Sequence, residues 1–262
     1  MIMSSSDYEI THVFFSPHMD DAIGSCGGTI AKLANAGSLV FIYNLFSGKT
    51  TPPYSPAAID LHNQWGNPKD VVELRRAEDQ AACTKIGVKV HFDNIPDAIY
   101  RISRNGKWMY GNDDDIFKDR HKDDEKIVKY FEKRIRKYLS NYAKARLYFP
   151  LGVGNHVDHK LAFDIGLLLK ADDFNVWFYE DFPYTKSKDI VPLMFASRDW
   201  YSYSVSLTIN EINAKICAFN YYLSQVSMLF GSSEKMRDAF ITFAKEYARD
   251  EVEFAERFWS YR

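Results

Sequence analysis

Two short segments of the sequence carry residue types that bind metals and transfer protons. They are Ser16-Pro-His-Met-Asp-Asp-Ala22 and Gly152-Val-Gly-Asn-His-Val-Asp-His159. In each segment two potential donors stand three residues apart, a spacing that puts both on one side of a tight strand-to-helix turn. An imidazole, a carboxylate and a second imidazole are a ligand set that catalytic Zn²⁺ takes, with a fourth position left for water. The two segments therefore indicate a mononuclear metal site suited to hydrolysis.

The segments offer more donors than one metal ion needs. The candidates are His18, Asp20, Asp21, His156, Asp158 and His159. Because catalysis requires unligated acids and bases beside the metal, the surplus favours an enzyme. A structural explanation also exists, since an aspartate before a helix is a favoured N-cap. Capping explains one such segment more easily than two that both follow strands.

A fold must bring these distant segments together, and the chain alternates strand-like and helix-like runs. His12-Val-Phe-Phe15 is strand-like, and the helical pattern after it ends near Gly37. Further strands are predicted at 39–46, 89–94, 147–149 and 176–179, and helices at 70–86, 123–143 and 159–171. Two more helices, the first over 209–230, are predicted to end the chain.

This alternation predicts an α/β, Rossmann-like fold with a mostly parallel sheet and helices on both faces. We expect one domain over residues 1–262. Ligands of such sheets bind outside the carboxyl ends of the strands. Both His/Asp segments follow predicted strands, so the fold would place them side by side. The long loop near 47–67 is predicted to form a lid or a substrate wall.

Composition narrows the class of protein. Of 262 residues, 46% are apolar and 26% are charged, which is enough for a sizeable core and excludes a disordered chain. The 33 basic residues nearly balance the 35 acidic ones, so no basic excess points to a nucleic acid partner. No stretch approaches the ~18 apolar residues of a membrane span, and the first residues do not resemble a signal peptide.

The three cysteines indicate a reducing compartment. Cys26, Cys83 and Cys217 are an odd number in apolar surroundings, and we expect them to be reduced core residues. A cytoplasmic protein is therefore expected. The sequence leaves its oligomeric state open.

Ser16-Pro-His-Met-Asp-Asp-Ala22 together with His156-Val-Asp-His159 resembles the zinc-dependent de-N-acetylases of the LmbE/PIG-L type. The hallmarks of that family are Ala-His-Pro-Asp-Asp-Glu early in the chain and His-x-Asp-His in its middle. Segments within 75–88, 97–101, 179–184, 222–225 and 255–259 add support, so the resemblance spans nearly the whole chain.

The resemblance implies a role for each candidate residue. His18, Asp21 and His159 would bind Zn²⁺, although such a site also accepts Fe²⁺ or Co²⁺. Asp20 would be the general base. His156 would either stabilise the oxyanion or donate a proton to the leaving amine, and Asp158 would orient a histidine through its ring N–H.

Two further residues would grip the substrate, and three positions depart from the family pattern. Arg75 and Asp97 are the candidates for binding sugar hydroxyls. Ser16-Pro17 and Met19 replace family residues but leave every ligand intact. Ala22 stands where the family has Glu, which removes a carboxylate beside the site.

Three functions remain open on the sequence. The leading hypothesis, from the resemblance, is a metal-dependent hydrolase that removes the acetyl group from an N-acetylated, GlcNAc-like sugar or its conjugate. The second is a phosphoesterase in which the same donors hold two metals about 3.5–4 Å apart. The third is a non-catalytic sugar-binding protein on the same scaffold.

Overall fold

A computed structural model describes residues 10–142, 144–185, 199–248 and 252–261. Its strands are β1 (Thr11–Ser16), β2 (Val40–Asn44), β3 (Lys89–Phe92), β4 (Ala145–Pro150), β5 (Asn175–Tyr179), β6 (Trp200–Leu207) and β7 (Phe254–Tyr261). Its α-helices are α1 (Asp21–Asn35), α2 (Pro56–Gln64), α3 (Val71–Lys85), α4 (Glu125–Leu139), α5 (Val157–Ala171), α6 (Ile209–Phe219), α7 (Leu223–Phe230) and α8 (Ser233–Glu246).

The strands form one sheet whose order locates the site. The order is β3-β2-β1-β4-β5-β7-β6. The pairs among β1 to β5 are parallel, and β7 pairs antiparallel with β5 and β6. Successive connections run outward from β1 in one direction and from β4 in the other, so the order reverses between these two strands. A crevice opens at such a reversal, outside the carboxyl ends of the strands.

Apolar side chains point alternately to the two faces of the sheet, and helices pack against both faces. In β1, Phe14 belongs to the core with α1, α3, α6 and α8, whereas Val13 and Phe15 belong to the core with α4 and α5. This alternation is the two-residue period of a strand whose faces are both covered. The predicted α/β class, with a mostly parallel sheet flanked by helices, is confirmed.

Helix α1 carries the first His/Asp segment at its start and bends in its middle. Cys26 has non-helical backbone angles, which frees backbone N–H groups in the next turn. Glu256 of β7 accepts hydrogen bonds from the N–H groups of Gly28 (3.1 Å) and Thr29 (2.7 Å). The buried Lys215 ammonium lies 2.9 Å from the same carboxylate and neutralises it. The last strand of the sheet thus supports the helix that begins at the site.

The prediction for the end of the chain was wrong. The helix predicted over 209–230 is two helices, because the backbone leaves the helical region at Tyr222 and its hydroxyl bonds Asp79. After α8 the chain forms a strand, and β6 was also missed. Both strands mix polar and apolar residues, so their pattern lacks the apolar runs that marked β1 and β2.

Two smaller expectations also change. The loop near 47–67 contains helix α2, which begins where Ser55 Oγ accepts the N–H of Ala58 at 3.0 Å. Cys26 and Cys83 are buried as expected, but Cys217 is exposed on α6. Among the described residues, no helix is both long enough and apolar enough to span a membrane.

Candidate functional site

A cavity of about 250 Å³ opens where β1 and β4 end. Six of the eight residues predicted for the site line it: His18, Asp20, Asp21, Arg75, Asp97 and His156. The other two, Asp158 and His159, lie directly behind this lining and are 0% and 2% exposed. The structure therefore brings all eight predicted residues into one place.

The turn after β1 is held by its own side chains. Ser16 Oγ donates to the carbonyl of His18 at 2.6 Å and accepts the N–H of Ala22 at 3.0 Å. Asp20, at the centre of the turn, has a φ of 140°, in a region that L-residues rarely occupy. Such strain persists only where surrounding contacts impose it, and it is frequent at functional sites.

Asp21 stands between two imidazoles. Its Oδ2 lies 3.3 Å from His18 Nδ1 and 3.3 Å from His159 Nε2. Two ligands at 2.0–2.1 Å from a tetrahedral Zn²⁺ are separated by about 3.3 Å. In addition, one nitrogen from each of His18, His156 and His159 lies within 4.8 Å of the other two. This set of nitrogen and oxygen donors fits a divalent cation.

Each of the two imidazoles beside Asp21 is held from behind by a buried carboxylate. His18 Nε2 donates to Asp158 Oδ2 at 3.1 Å, and His159 Nδ1 donates to Asp181 Oδ1 at 2.6 Å. A carboxylate on the far nitrogen fixes the tautomer and makes the near nitrogen a better ligand. Sequence reasoning missed Asp181, although it follows β5 closely and lies in the 179–184 segment that supports the family resemblance.

Charge is concentrated on the cluster. Burial lowers the pKa of His159, but Asp21 and Asp181 outweigh burial and raise it to about 9. Burial likewise opposes the charge of His18, and Asp97 and Asp21 raise its pKa. Burial raises the pKa of Asp21, but His159 and His18 hold it well below its usual range. The cluster thus pairs a carboxylate with two imidazoles whose pKa is raised, and a metal ion that binds there must compete with protons.

His156 differs from its two neighbours. Its Nδ1 accepts the backbone N–H of Asp158 at 3.2 Å, so the neutral ring carries its proton on Nε2. Burial, together with the charges of His18 and His159, holds its pKa well below the usual value. His156 is therefore a neutral hydrogen-bond donor that lines the cavity.

Arg75 contacts Asp20 as well as lining the cavity. Its Nη2 donates to Asp20 Oδ1 at 3.0 Å and to the carbonyl of Met19 at 3.1 Å. Its guanidinium also stacks over the ring of Trp65, 4.8 Å from the centroid. Burial and the neighbouring Asp21 raise the pKa of Asp20 to about 7, and the charge of Arg75 opposes the rise. A carboxyl with such a pKa can accept a proton near neutral pH.

Asp97 belongs to a second group of potential donors around His18. Asp97 Oδ2 lies 3.5 Å from His18 Nε2, and Asp158 completes the group. However, Asp158 Oδ2 accepts the N–H of Ala98, and Asp158 Oδ1 is bonded by Arg101. Because a guanidinium occupies this carboxylate, the second group fits a cation less well than the first.

Residues 13–169 match the family described as PIG-L, GlcNAc-PI de-N-acetylase. A 2'-N-acetylparomamine deacetylase of Niallia circulans is 36% identical over 188 residues, which cover 66% of this chain and 66% of that protein.

Solved structures share the fold. The zinc-inhibited form of teicoplanin deacetylase superposes with a TM-score of 0.84 and 28% identity, over 95% of this chain and 97% of that one. N,N'-diacetylchitobiose deacetylase from Pyrococcus horikoshii is 19% identical, with a TM-score of 0.58 over 95% of this chain and 82% of that chain. At this identity the second match speaks for the fold alone.

Proposed function

The chain belongs to the PIG-L de-N-acetylase family, and from this premise we propose that it is a divalent-metal-dependent deacetylase of an N-acetylated sugar or sugar conjugate. The reaction adds water to the amide and releases acetate and the free amine. Zn²⁺ is the proposed cofactor, with Fe²⁺ as an alternative that the same donors accept.

One observation carries the proposal. Asp21 Oδ2 lies 3.3 Å from a nitrogen of each of two histidines, and a buried carboxylate holds the far nitrogen of each ring. This arrangement supports His18, Asp21 and His159 as the metal ligands. A bound divalent cation supplies polarisation of the amide carbonyl and lowers the pKa of water.

The proton transfers are assigned to Asp20. Arg75 holds Asp20 Oδ1, so we assign Oδ2 to the proton. Oδ2 would take a proton from the attacking water and return it to the amine nitrogen as the C–N bond breaks. General acid–base catalysis of this kind contributes on the order of 10²–10⁴ in rate.

His156 is assigned to the oxyanion. Its Nε2–H, fixed by the hydrogen bond at Nδ1, would donate to the carbonyl oxygen as negative charge develops there. Of the two roles that the resemblance implies, proton donation to the amine is the weaker, because the low pKa keeps this ring neutral. Asp158 orients His18, and Arg75 and Asp97 remain candidates for contacting sugar hydroxyls.

Acetate release tests the proposal. A panel of N-acetylated sugars and their glycosides is incubated with the protein, with and without chelator. We expect acetate from at least one member, loss of activity with chelator, and recovery when Zn²⁺ or Fe²⁺ is returned. Chelator-insensitive release, or none from any member with metal present, contradicts the proposal.

Metal content separates the remaining alternatives. About one ion per chain is expected for the deacetylase, whereas a two-metal phosphoesterase holds two. A sugar-binding protein would show saturable binding of the same sugars without turnover. Acetate release by Asp20→Asn would then equal that of the wild type.

A further inference from the structure

A glutamine that borders the cavity has no part in the proposed mechanism. Gln225 belongs to α7 and is only 2% exposed, yet its side chain lines the cavity. Buried amides pair nearly all their polar atoms, because a polar atom left unpaired away from water is costly. The hydrogen bonds of the Gln225 amide therefore show what this part of the cavity can bind.

The nitrogen of this amide has a partner inside the protein. Gln225 Nε2 donates to Ser224 Oγ at 2.9 Å. Ser224 Oγ in turn donates to Glu78 Oε2 at 2.6 Å, and the backbone N–H of Ser224 donates to Glu78 Oε1 at 2.9 Å. Glu78 is buried on α3, so both oxygens of its carboxylate are engaged by the start of α7.

These bonds fix the direction in which the amide faces. A hydroxyl has one proton, and Ser224 donates that proton to a carboxylate. Towards Gln225 the same hydroxyl can only accept, so the NH2 group faces Ser224 and the carbonyl oxygen faces away from it. Among the residues that the structure describes, none donates a hydrogen bond to Gln225 Oε1. The cavity therefore has an acceptor whose orientation is set and whose donor is still to come.

Helix α3 joins this amide to the candidate site. It carries Arg75 and Glu78 three residues apart, which places both on one face of the helix. Arg75 contacts the proposed general base, and Glu78 holds the start of α7. Met228 lies three residues after Gln225 on α7, and its sulfur accepts the indole N–H of Trp65 at 3.2 Å. Arg75 stacks on that indole, so the acceptor and the general base share one framework.

We infer that Gln225 Oε1 accepts a hydrogen bond from a hydroxyl of the sugar whose acetamide is hydrolysed, which makes Gln225 a substrate-binding residue. This inference rests on the proposed deacetylase function. Because Glu78 and Ser224 hold the amide, binding does not have to order it. A substrate without the hydroxyl leaves the carbonyl oxygen unpaired in a filled cavity, and a site built to pair a hydroxyl rejects such an analogue.

Deoxygenated substrates test the inference. The kcat/KM for acetate release is measured on the methyl glycoside of N-acetylglucosamine, or of the N-acetyl sugar that the acetate assay prefers, and on derivatives that lack one hydroxyl each. For the wild type we expect one derivative to fall about tenfold or more below the parent glycoside. Gln225→Met replaces the amide by an apolar group of similar length. In this variant the same derivative and the parent should agree within about threefold.

Gln64→Met is the matched control. Gln64 is a second glutamine that lines the cavity, but it is exposed on α2, and no described residue holds its amide by a hydrogen bond. The wild-type order of the glycosides is expected to persist in this variant. A Gln64→Met protein that no longer discriminates against the sensitive derivative would assign the hydroxyl to Gln64 and overturn the inference.

Ser224→Ala tests whether the amide is held in place. Without the hydroxyl of Ser224 the amide can turn, so Gln225 presents its NH2 group to the cavity in part of the molecules. We expect the loss of kcat/KM on the sensitive derivative to shrink about threefold or more. Metal content and circular dichroism report whether each variant folds and binds its ion. A folded Ser224→Ala protein that keeps the full wild-type loss contradicts the positioning on which the inference depends.

Other outcomes also overturn the inference. The same discrimination in the wild type and in folded, metal-loaded Gln225→Met contradicts it and leaves the proposed function intact. A wild type that cleaves the parent and every deoxy derivative equally well does the same. Absence of acetate from every N-acetyl sugar with metal present overturns the proposed function and this inference with it.

Discussion

The carboxylate of Asp181 accepts a 2.6 Å hydrogen bond from Nδ1 of His159 and is itself almost wholly buried. Its second oxygen accepts the N–H of Val153 at 3.1 Å, so the carboxylate cannot turn away. The imidazole is thereby fixed with Nε2 towards Asp21. Asp158 does the same for His18 across the site. Two of the proposed metal ligands are thus oriented by buried carboxylates that do not themselves line the cavity.

Asp181→Asn is expected to weaken metal binding on the order of 10–100-fold, because an amide orients the imidazole less strongly and leaves it less basic. Zn²⁺ affinity is measured by competition with a chelator of known strength. Asp164→Asn is the control, since Asp164 is a half-exposed aspartate on α5, the helix that carries His159, and its partner is Arg120. Equal affinities for the two variants would show that Asp181 does not orient the ligand.

His18→Ala and His159→Ala are each expected to lose the bound metal after dialysis, because two remaining protein ligands hold Zn²⁺ poorly. Metal per chain is measured by elemental analysis. His91→Ala serves as the control, as His91 lies on β3 away from the cluster. Retention of a full equivalent of metal in both variants would refute the ligand assignment.

Asp20→Ala is expected to keep its metal and lose turnover by about 10²–10⁴, the usual contribution of a general base. Metal content and acetate release are measured on the same preparation. The result separates a catalytic carboxylate from a ligand, because a ligand variant loses both. Turnover within tenfold of the wild type would remove Asp20 from the mechanism.

Arg75→Gln tests whether Arg75 acts on Asp20 or on the substrate. The positive charge lowers the pKa of Asp20, so its removal raises that pKa. Because the base must be ionised, the acid limb of the kcat/KM profile should move to higher pH. Arg76→Gln is the control, since Arg76 binds the carbonyl of Ser47 instead. A raised KM with an unmoved acid limb would assign Arg75 to the substrate alone.

Asp79 lies outside the metal cluster and makes the stability of the fold depend on pH. Burial raises its pKa to about 6, although Tyr222 and Asn44 donate hydrogen bonds to it. The folded protein therefore keeps this proton when the unfolded chain has released it. The stabilisation is fully present below about pH 4 and is lost as pH rises through 6, a change of ~3 kcal/mol.

Urea unfolding in chelator, at pH values from 4 to 7, measures this effect. The difference in unfolding free energy between the wild type and Asp79→Asn should fall by ~2 kcal/mol across the range, since the variant has no carboxyl to titrate. A difference that stays constant with pH would show that the pKa of Asp79 is not raised.

The sequence predicted the parallel part of the fold because that part has one dominant signal. The buried strands β1, β2 and β4 read as apolar runs, and α1 ends near a glycine with a φ of +87° at Gly37. Strand β6 lacks such an apolar run and has instead the two-residue alternation Tyr201-Ser-Tyr-Ser-Val-Ser-Leu207, which is typical of a half-buried strand. Tyr222, where the helix breaks, donates a hydrogen bond to Asp79, which lies 143 positions away and which no local pattern predicts.

The site divides in the same way. The residue types and spacing of His18 and Asp21 at the end of a strand predict a site, and the structure places both residues in the cluster. The contact of Arg75 with Asp20 and that of Asp181 with His159 join different elements, so neither spacing nor residue type reveals them. The sequence thus predicts the chemical groups of the site. Which carboxylate orients which histidine, and which residue contacts Asp20, depends on tertiary contacts.

The strand order carries a consequence for how the protein is made. In the sheet β7 sits between β5 and β6, although it follows both in the chain, and its Glu256 supports α1. When a nascent chain has emerged only through β6, that strand has no β7 to pair with. The N–H groups at the bend of α1 also lack Glu256, their acceptor. Synthesis from the amino terminus thus produces every proposed metal ligand before it produces β7. Until β7 has formed, the sheet ends at β5 with an unpaired edge, and β6 has no strand to pair with.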